Sequence, residues 1–244
     1  MKDGILGFLM VLSFFTRIPI GRKIPYDESI YRKGLYFFPM MGWVIGALLL
    51  VPMYLFKEFP MIKPLMILLV YLMVTGGIHL DGLADSCDGL LSGREKDKIL
   101  EIMKDSRLGT FGAVAIVFYL LFSFVLMGDL RTIDLFWMPF IGRSSAFILA
   151  GLSRYARKEG GMGAVFIETI GERQAVIASV GVLALSLFVL GWLGLLAVVF
   201  SGVVLLGIGY WANSKIGGIT GDILGMAVEV TQIVFMLCTV LFRA

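Results

Sequence analysis

Charged residues are scarce in this sequence, since Asp, Glu, Lys and Arg make up only 16% of its 244 residues while 59% are hydrophobic. A soluble domain carries about 25% charged residues. A soluble chain of this length could not bury so much apolar surface, so the composition excludes a soluble domain and predicts an integral membrane protein. The formal net charge is only +3, and nucleic acid is not an expected partner.

Cysteine and histidine are also scarce. The two cysteines, Cys87 and Cys238, lie far apart in unrelated contexts, which excludes a disulfide framework. The single histidine, His79, stands two residues before Asp81 at the end of an apolar run. A lone histidine there is more often structural, yet an unperturbed pKa of about 6.5 also suits phosphate binding or proton acceptance. Both interpretations of His79 stay open.

Long apolar runs dominate the rest of the chain, and no linker, low-complexity tract or internal repeat separates them. A spanning helix needs about 20 apolar residues. Residues 175–211 are too long for one span, and 191–194 predict a tight turn within them. The sequence therefore predicts an all-α, polytopic integral membrane helix bundle of about seven or eight transmembrane segments, forming one domain over residues 1–244. The candidate segments are 4–20, 34–56, 61–80, 109–128, 132–152, 174–191, 192–212 and 222–242.

The distribution of Lys and Arg orients this bundle. With eight spans, fifteen of these residues, including Arg22 and Lys23, fall on one side and five on the other, while Arg143 lies inside a span. The positive-inside rule makes the first side cytoplasmic. We therefore expect a multi-pass protein of the cytoplasmic (inner) cell membrane with its active site facing the cytoplasm. Three polar segments share that face: 80–108, 153–173 and 213–221.

Three carboxylates directly follow an apolar run. Asp81, Asp85 and Asp88 are separated by four and three residues, spacings that put them on one face of a helix. Like charges on one stripe repel one another unless a cation joins them, and Mg²⁺ typically pairs a few carboxylates with the phosphates of a substrate. The cluster predicts a Mg²⁺ site and phosphate chemistry at a membrane surface. The alternative is a solvated helix start that Asp81 caps.

A polar segment leads into the next apolar run. Lys104 and Arg107 are suited to neutralise a pyrophosphate, and Asp105 is a further candidate metal ligand. Gly109 and Gly112 allow backbone amides at a helix start to face an anion. The alternative is a basic loop held near lipid headgroups.

Three arginines are further candidates for substrate binding. Arg143 lies deep in an apolar run, where a charge is costly and usually functional. The alternative is a buried partner for an acid, with Glu229 as the candidate. Arg154 and Arg157 precede a glycine-rich turn, an arrangement that suits a nucleotide or phosphate. The two also suit a belt of basic side chains that extend toward lipid headgroups.

A glycine-rich loop precedes the last apolar run. Gly218 permits a tight loop whose amides approach a phosphate. Thr220 or Asp222 is placed to cap the following helix. These three residues complete the predicted substrate-binding set.

Together, and in this order, these elements resemble the cobalamin synthase family, whose members are adenosylcobinamide-GDP ribazoletransferases. The strings His-Leu-Asp-Gly-Leu-Ala-Asp and Thr-Gly-Asp-Ile-Leu-Gly are specific in combination. The resemblance covers most of the chain, and the matching segments are 15–19, 38–42, 79–89, 104–112, 154–157 and 217–225.

The resemblance implies a late step of cobamide (vitamin B12) assembly. The 5′-hydroxyl of α-ribazole, or its 5′-phosphate form, attacks adenosylcobinamide-GDP, GMP leaves, and adenosylcobalamin or its phosphate forms. Mg²⁺ is the implied cofactor. Membrane lipid is the expected surrounding, and a homo-oligomer or contacts with other cobamide-assembly enzymes are compatible with this role.

We assign hypothetical roles in this reaction to the candidate residues. Lys104, Arg107 and Arg154 are expected to add fixed positive charge around the pyrophosphate. Three carboxylates are expected to hold one or two Mg²⁺ ions: Asp81, Asp85 and Asp88. One of three residues is expected to accept the hydroxyl proton: Asp85, Asp88 or His79.

Two other functions stay open at this point. Asp81 and Ala84 also match the start of the acidic motif of CDP-alcohol phosphotransferases of lipid synthesis, but Asp85 replaces the arginine expected there. A cation-coupled transporter would use Arg143, Glu229 and Asp81 along a permeation path. The polar elements cluster on one face, which argues against a transporter because transport needs access from both faces.

Overall fold

The structure, a computed structural model, describes residues 2–20 and 25–243. Arg22 and Lys23, which entered the charge asymmetry above, lie outside the described residues. The described residues form eleven α-helices and one isolated parallel bridge, between Tyr155 and Ile219. In chain order the helices are α1 (Lys2–Phe15), α2 (Glu28–Leu35), α3 (Phe38–Leu55), α4 (Ile62–Thr75), α5 (Ile78–Leu90), α6 (Lys96–Ile102), α7 (Thr110–Asp129), α8 (Thr132–Gly151), α9 (Met162–Thr169), α10 (Glu172–Ile216) and α11 (Gly221–Leu241).

Five of the described helices are long and apolar enough to cross a membrane: α3, α7, α8, α10 and α11. Helices α4 and α5 pass the same test only as a pair bent by 89°, the geometry of a broken span or of a re-entrant segment, so the number is five or six. The predicted first segment, 4–20, contains only the 14-residue helix α1. The set confirms the all-α membrane helix bundle.

Helix α10 is broken near its middle. Its 45 residues would extend about 68 Å at about 1.5 Å per residue, more than twice the ~30 Å hydrocarbon core of a bilayer. The backbone leaves helical geometry at Gly191, where φ is 74° and ψ is −168°. This residue divides α10 into two arms, 172–190 and 192–216. The turn predicted within 191–194 is confirmed at its first residue.

Helix α8 forms the centre of the bundle, because nearly all of its residues are buried and it packs against α3, α10 and α11. Small residues allow α3 to approach closely, since a Cβ on Gly42 or Gly46 would overlap the backbone of Phe140 or Phe136. This enclosure places Arg143, on α8, in the core with 0% of its surface exposed.

The turn between α4 and α5 determines where the acidic residues lie. It contains Gly76 and Gly77, and both glycines have a left-handed backbone, with φ of 64° and 71°. Glycine adopts this region without the steric penalty that a Cβ imposes. Two such residues in succession turn α5 away from α4 and direct it against α7 and α11.

Candidate active site

Helices α5 and α11 cross in direct backbone contact. A Cβ added to Gly82 would lie 2.8 Å from the backbone oxygen of Asp222, and one added to Gly225 would lie 3.1 Å from the backbone oxygen of His79. Larger residues at either glycine would push the two helices apart. The crossing brings Asp222, at the start of α11, into the same cavity wall as Asp81 on α5.

A cleft opens beside this crossing. Its inner part, about 210 Å³, combines polar groups of α5 and α11 with an aromatic wall formed by Phe15, Phe38 and Phe166. Its outer part, about 190 Å³, carries charged side chains. The two parts meet at Gly221 and Asp222. This cleft is lined by residues of all three polar segments, 80–108, 153–173 and 213–221. These are the segments that the distribution of Lys and Arg assigns to one face.

Two carboxylates line the inner end of the cleft, and two more lie on α5 beside it. Asp81 and Asp222 line it, and the charges of Asp81, Asp222 and Asp88 all act on Asp85, one turn further along α5. Within residues 2–20 and 25–243, no three His, Cys, Asp or Glu side chains lie close enough together to hold a metal ion by themselves. Mg²⁺ is usually bound by one or two carboxylates together with substrate phosphates and water, and these oxygen donors fit that mode. The Mg²⁺ site stays a prediction.

Asp88 accepts two backbone hydrogen bonds from the start of α7. Its Oδ2 lies 2.8 Å from the nitrogen of Gly109, and its Oδ1 lies 2.9 Å from the nitrogen of Gly112. The first N–H groups of a helix have no partner within the helix. The glycine amides thus face an anion as expected, but the anion is a carboxylate of this chain. Each carboxylate oxygen has a second lone pair, so Asp88 can still bind a cation.

Two ion pairs line the outer cleft. Lys104 Nζ lies 2.6 Å from Glu159 Oε2, and the hydrogen bond from Lys104 lowers the pKa of the Glu159 carboxyl below its usual value. Arg157 Nη2 lies 2.9 Å from Asp222 Oδ2. The side chains of this second pair are only 17% and 25% exposed. Both Lys104 and Arg157, predicted to bind substrate, therefore reach the cleft.

The loop after α8 is joined to the loop before α11. The N–H of Ala156 donates to the Ile219 oxygen at 2.9 Å, and the N–H of Ile219 donates to the Arg154 oxygen at 2.8 Å. Gly218 permits this approach, because a Cβ there would overlap the backbone oxygen of Arg154. Gly218 therefore shapes the cleft through its backbone, without lining it.

Side chains alternate along the extended loop after α8, as they do along a strand. Tyr155 and Arg157 line the cleft, whereas Arg154 lines a separate pocket between α8 and α10. Thr220 accepts a hydrogen bond from the N–H of Ile223 at 3.4 Å, which confirms it as the cap of α11. In the structure, Arg154 lines the separate pocket and Thr220 caps α11. Their predicted contacts with substrate stay predictions.

Asp105 and Arg107 pair with each other outside the cleft. Arg107 Nε lies 3.0 Å from Asp105 Oδ1, and Nη2 lies 2.5 Å from Oδ2. These hydrogen bonds lower the pKa of Asp105 to about 2. The Arg107 side chain is 87% exposed, and neither residue lines the cleft. Their roles as metal and phosphate ligands stay predictions.

His79 is buried against the aromatic wall. Its ring stacks on Phe15 with centroids 6.0 Å apart and meets the edge of Phe38 at 6.3 Å. Its Nδ1 is buried and has no hydrogen-bond partner among the described residues. A buried polar atom without a partner is costly, and the residue that carries it lines the inner cleft. This arrangement is compatible with both interpretations of His79.

Arg143 belongs to a buried polar network. Its Nη1 donates to Tyr71 Oη at 3.3 Å and to Gln232 Oε1 at 3.1 Å. The hydroxyl of Tyr71 in turn donates to Glu229 Oε1 at 2.8 Å. Arg143 and Glu229 are thus joined through Tyr71 and Gln232, which corrects the direct pairing expected from the sequence. Arg143 does not line the cleft, and its contact with substrate stays a prediction.

Sequence reasoning assigned no site role to the aromatic wall or to Tyr71. Two wall residues, Phe15 and Phe38, stand at the start of the matched segments 15–19 and 38–42, and this position was the available signal. Nothing marks Tyr71 within its apolar run, because its partner Glu229 lies 158 residues away in the sequence.

The fold and the cleft define a class: a helical membrane protein with carboxylates and basic side chains gathered at one end of its bundle, a combination suited to phosphate chemistry. The chain belongs to the cobalamin-5-phosphate synthase family, whose model matches residues 7–240. No solved structure has a significant match to the chain.

Relatives with known names agree with the family. An adenosylcobinamide-GDP ribazoletransferase of Alkaliphilus oremlandii is 38% identical over 245 residues, covering 98% of each chain. Proteins of the same name from Clostridium novyi and Acetivibrio thermocellus are 36% and 35% identical, covering 97% and 96% of this chain and 97% of each relative. The family and these relatives assign the chain to the final assembly of cobalamin. They favour this function over the lipid phosphotransferase and the transporter.

Proposed function

We propose that this chain transfers the phosphocobinamide group of adenosylcobinamide-GDP to a ribose hydroxyl of α-ribazole or of α-ribazole 5′-phosphate. The hydroxyl oxygen bonds to the phosphorus nearest cobinamide, the bond from that phosphorus to the bridging oxygen breaks, and GMP leaves with that oxygen. The hydroxyl proton passes to a base. The observation that carries the proposal is the cleft, where carboxylates and Arg157 adjoin an aromatic wall in a chain of this family.

The acceptor hydroxyl is expected on a ribose carbon other than C5′. α-Ribazole 5′-phosphate has no free 5′-hydroxyl, so an enzyme that uses both forms needs a hydroxyl that both retain. This chemical requirement replaces the 5′-hydroxyl expected from the sequence.

The outer cleft suits the pyrophosphate and the departing GMP. Lys104 and Arg157 lie there, each paired with a carboxylate of the chain, and each would have to exchange that partner for a phosphate oxygen to stabilise the anion. The aromatic wall of the inner cleft suits a flat base, because aromatic rings stack favourably. Mg²⁺ would be held by Asp81 and by either Asp85 or Asp88, with Asp88 as the second ligand where Asp85 acts as the base, and it would offset charge on the transferred phosphoryl group.

Among the predicted proton acceptors, the structure favours Asp85. Both oxygens of Asp88 accept backbone hydrogen bonds, and His79 is enclosed by aromatic rings. The carboxylate of Asp85 is half-buried and lies near other charged side chains. None of the described residues donates a hydrogen bond to it. A carboxylate in this state is free to accept a proton or bind a cation.

The cytoplasmic orientation of the cleft is part of this proposal. It is supported by the excess of Lys and Arg in the three segments that line the cleft.

The test is to measure GMP release and cobamide formation by the purified protein in liposomes with adenosylcobinamide-GDP, either acceptor and Mg²⁺. Asp85→Asn is expected to slow both by about 100-fold or more, the typical contribution of an acid or base catalyst. Asp97→Asn, an exposed acid on α6 outside the cleft, is the matched control and should retain the wild-type rate.

The outcomes separate the parts of the proposal. EDTA should abolish product formation, and added Mg²⁺ should restore it. Full activity in EDTA would contradict the proposed need for Mg²⁺ but not the transfer reaction. A folded sample that forms no product with either acceptor would contradict the transfer itself.

A further inference from the structure

A groove separate from the cleft runs between α8 and the two arms of α10. Its deeper part, about 400 Å³, is lined almost entirely by apolar side chains and small residues, including Ser145, Ser179 and Gly202. Ligand pockets commonly measure about 300–1,000 Å³. Because α8 and α10 have the length and apolarity of membrane-crossing helices, an occupant of this part has to be apolar.

The groove continues into a polar pocket of about 470 Å³. Leu152 and Leu206 line both parts, so the apolar and polar parts are contiguous. The polar part is formed where α8 and α10 end, and Tyr210 and Asn213 are among its lining residues. Tyr210 is 79% exposed, and exposed tyrosines of membrane helices are typical of the headgroup level.

Positive charge lies at the polar end. Arg154 lines this end, is exposed, and has no carboxylate partner within the described residues. A Cβ on Gly217, which also lines it, would lie 3.1 Å from Lys96 Nζ. The described lining contains no acidic side chain. An arginine in such a setting favours a phosphate, which it can bind with two parallel hydrogen bonds.

We propose that this groove binds one anionic phospholipid, with an acyl chain between α8 and the arms of α10 and the phosphate beside Arg154. A free phosphate would satisfy Arg154 but leave the apolar part without an occupant. A zwitterionic lipid would fill the apolar part but bring a second positive charge toward Arg154 and Lys96. An anionic phospholipid complements both ends.

The first test blocks the apolar part. A side chain added at Gly202 would enter open space in the groove, since no atom lies within 4 Å of a Cβ there. Gly207 on the same arm is equally open but lines neither part of the groove. Native mass spectrometry of the detergent-purified protein mixed with phosphatidylglycerol should show one retained lipid per chain. Gly202→Leu should lose it, and Gly207→Leu should keep it.

The second test removes the headgroup contact. Arg154→Gln should weaken retention of phosphatidylglycerol about tenfold, the effect of losing roughly one charge-assisted contact, and should leave retention of phosphatidylcholine unchanged. Arg173→Gln, an exposed arginine on α10 outside the groove, is the matched control.

Three results would overturn the proposal: equal retention by Gly202→Leu and the wild type, equal retention of the two lipids by the wild type, or a dimer without lipid that Gly202→Leu dissociates. The last result would assign the groove to a second copy of the chain. No substrate is present in these measurements, so their outcome is independent of the proposed transfer reaction.

Discussion

Asp88 on α5 and Gly109 at the start of α7 are joined by a hydrogen bond of 2.8 Å from the glycine N–H to the carboxylate. The bond links residues 21 positions apart and couples the acidic helix to the next membrane helix. A change at Asp88 therefore acts on the fold as well as on the proposed metal site, and two variants are needed to separate these effects.

Asp88→Asn and Gly109→Ala form this pair. Asparagine offers one acceptor and two donors where two N–H groups need acceptors, so we expect a loss of about 1 kcal/mol in the free energy of unfolding, the typical cost of a lost helix cap. An alanine Cβ at position 109 would overlap the Asp88 carboxylate and should destabilise similarly while keeping the charge. Thermal unfolding in detergent measures both.

The activities of the two variants then decide the metal role of Asp88. If Asp88 also binds Mg²⁺, Asp88→Asn should release GMP much more slowly than Gly109→Ala, even where both are equally stable. Equal rates would assign Asp88 to structure alone.

Tyr71→Phe should destabilise the core. The hydroxyl of Tyr71 donates to Glu229 and accepts hydrogen bonds from Gln232 and Arg143. Its removal leaves buried polar groups without a partner, which we expect to cost about 2–3 kcal/mol of unfolding free energy. Tyr31→Phe is the matched control, because Tyr31 is equally buried and its hydroxyl has no partner among the described residues. Equal stabilities of the two variants would contradict the importance of the network.

The Arg157–Asp222 pair should show strong coupling in a double-mutant cycle. Removing one partner leaves the other charge partly buried and unpaired, so we expect Arg157→Met and Asp222→Asn to interact by about 1–3 kcal/mol in unfolding free energy. The pair Lys33–Asp3 has a similar distance, 2.7 Å, but both side chains are more than half exposed. Its cycle with Lys33→Met and Asp3→Asn should show coupling close to zero. Equal coupling in both cycles would show that burial does not strengthen the first pair.

Gly191→Ala should destabilise the protein through its backbone. The conformation at Gly191, φ 74° and ψ −168°, belongs to a region that is essentially restricted to glycine, and we expect a cost of about 1–3 kcal/mol. Gly181 lies in the helical first arm of α10 with open space around it. Gly181→Ala should instead stabilise by about 0.5–1 kcal/mol, because alanine favours a helix. Chemical denaturation in detergent compares them, and a stabilising Gly191→Ala would contradict the break.

The sequence was sufficient to predict the helical bundle and the break in α10. Spanning segments have to be apolar and have to satisfy their own backbone hydrogen bonds, so both follow from composition and run length. The bend between α4 and α5 was not predicted. It depends on the left-handed backbone of Gly76 and Gly77, which glycine permits but does not require.

Within the site, residues close together in sequence were easier to predict than pairings between segments. The spacing of Asp81, Asp85 and Asp88 was sufficient to predict that they share one face of a helix. The structure shows all three on α5. The contact of Arg157 with Asp222 joins residues 65 positions apart, and no local pattern specifies it. The separation of Arg154 from the cleft depends on the alternation of an extended loop, which the bridge to Ile219 fixes only in the folded chain.

The bend at Gly76 and Gly77 also determines the depth at which the acids lie. With α4 upright in the membrane, a bend of 89° lays α5 parallel to the membrane plane. On an upright helix Asp81 and Asp88 would differ in depth by about 10 Å, from seven residues at about 1.5 Å each. Lying flat, the same helix presents its carboxylates as a row at a single level. A cation and a pyrophosphate can then approach this row without entering hydrocarbon, where an isolated charge is costly.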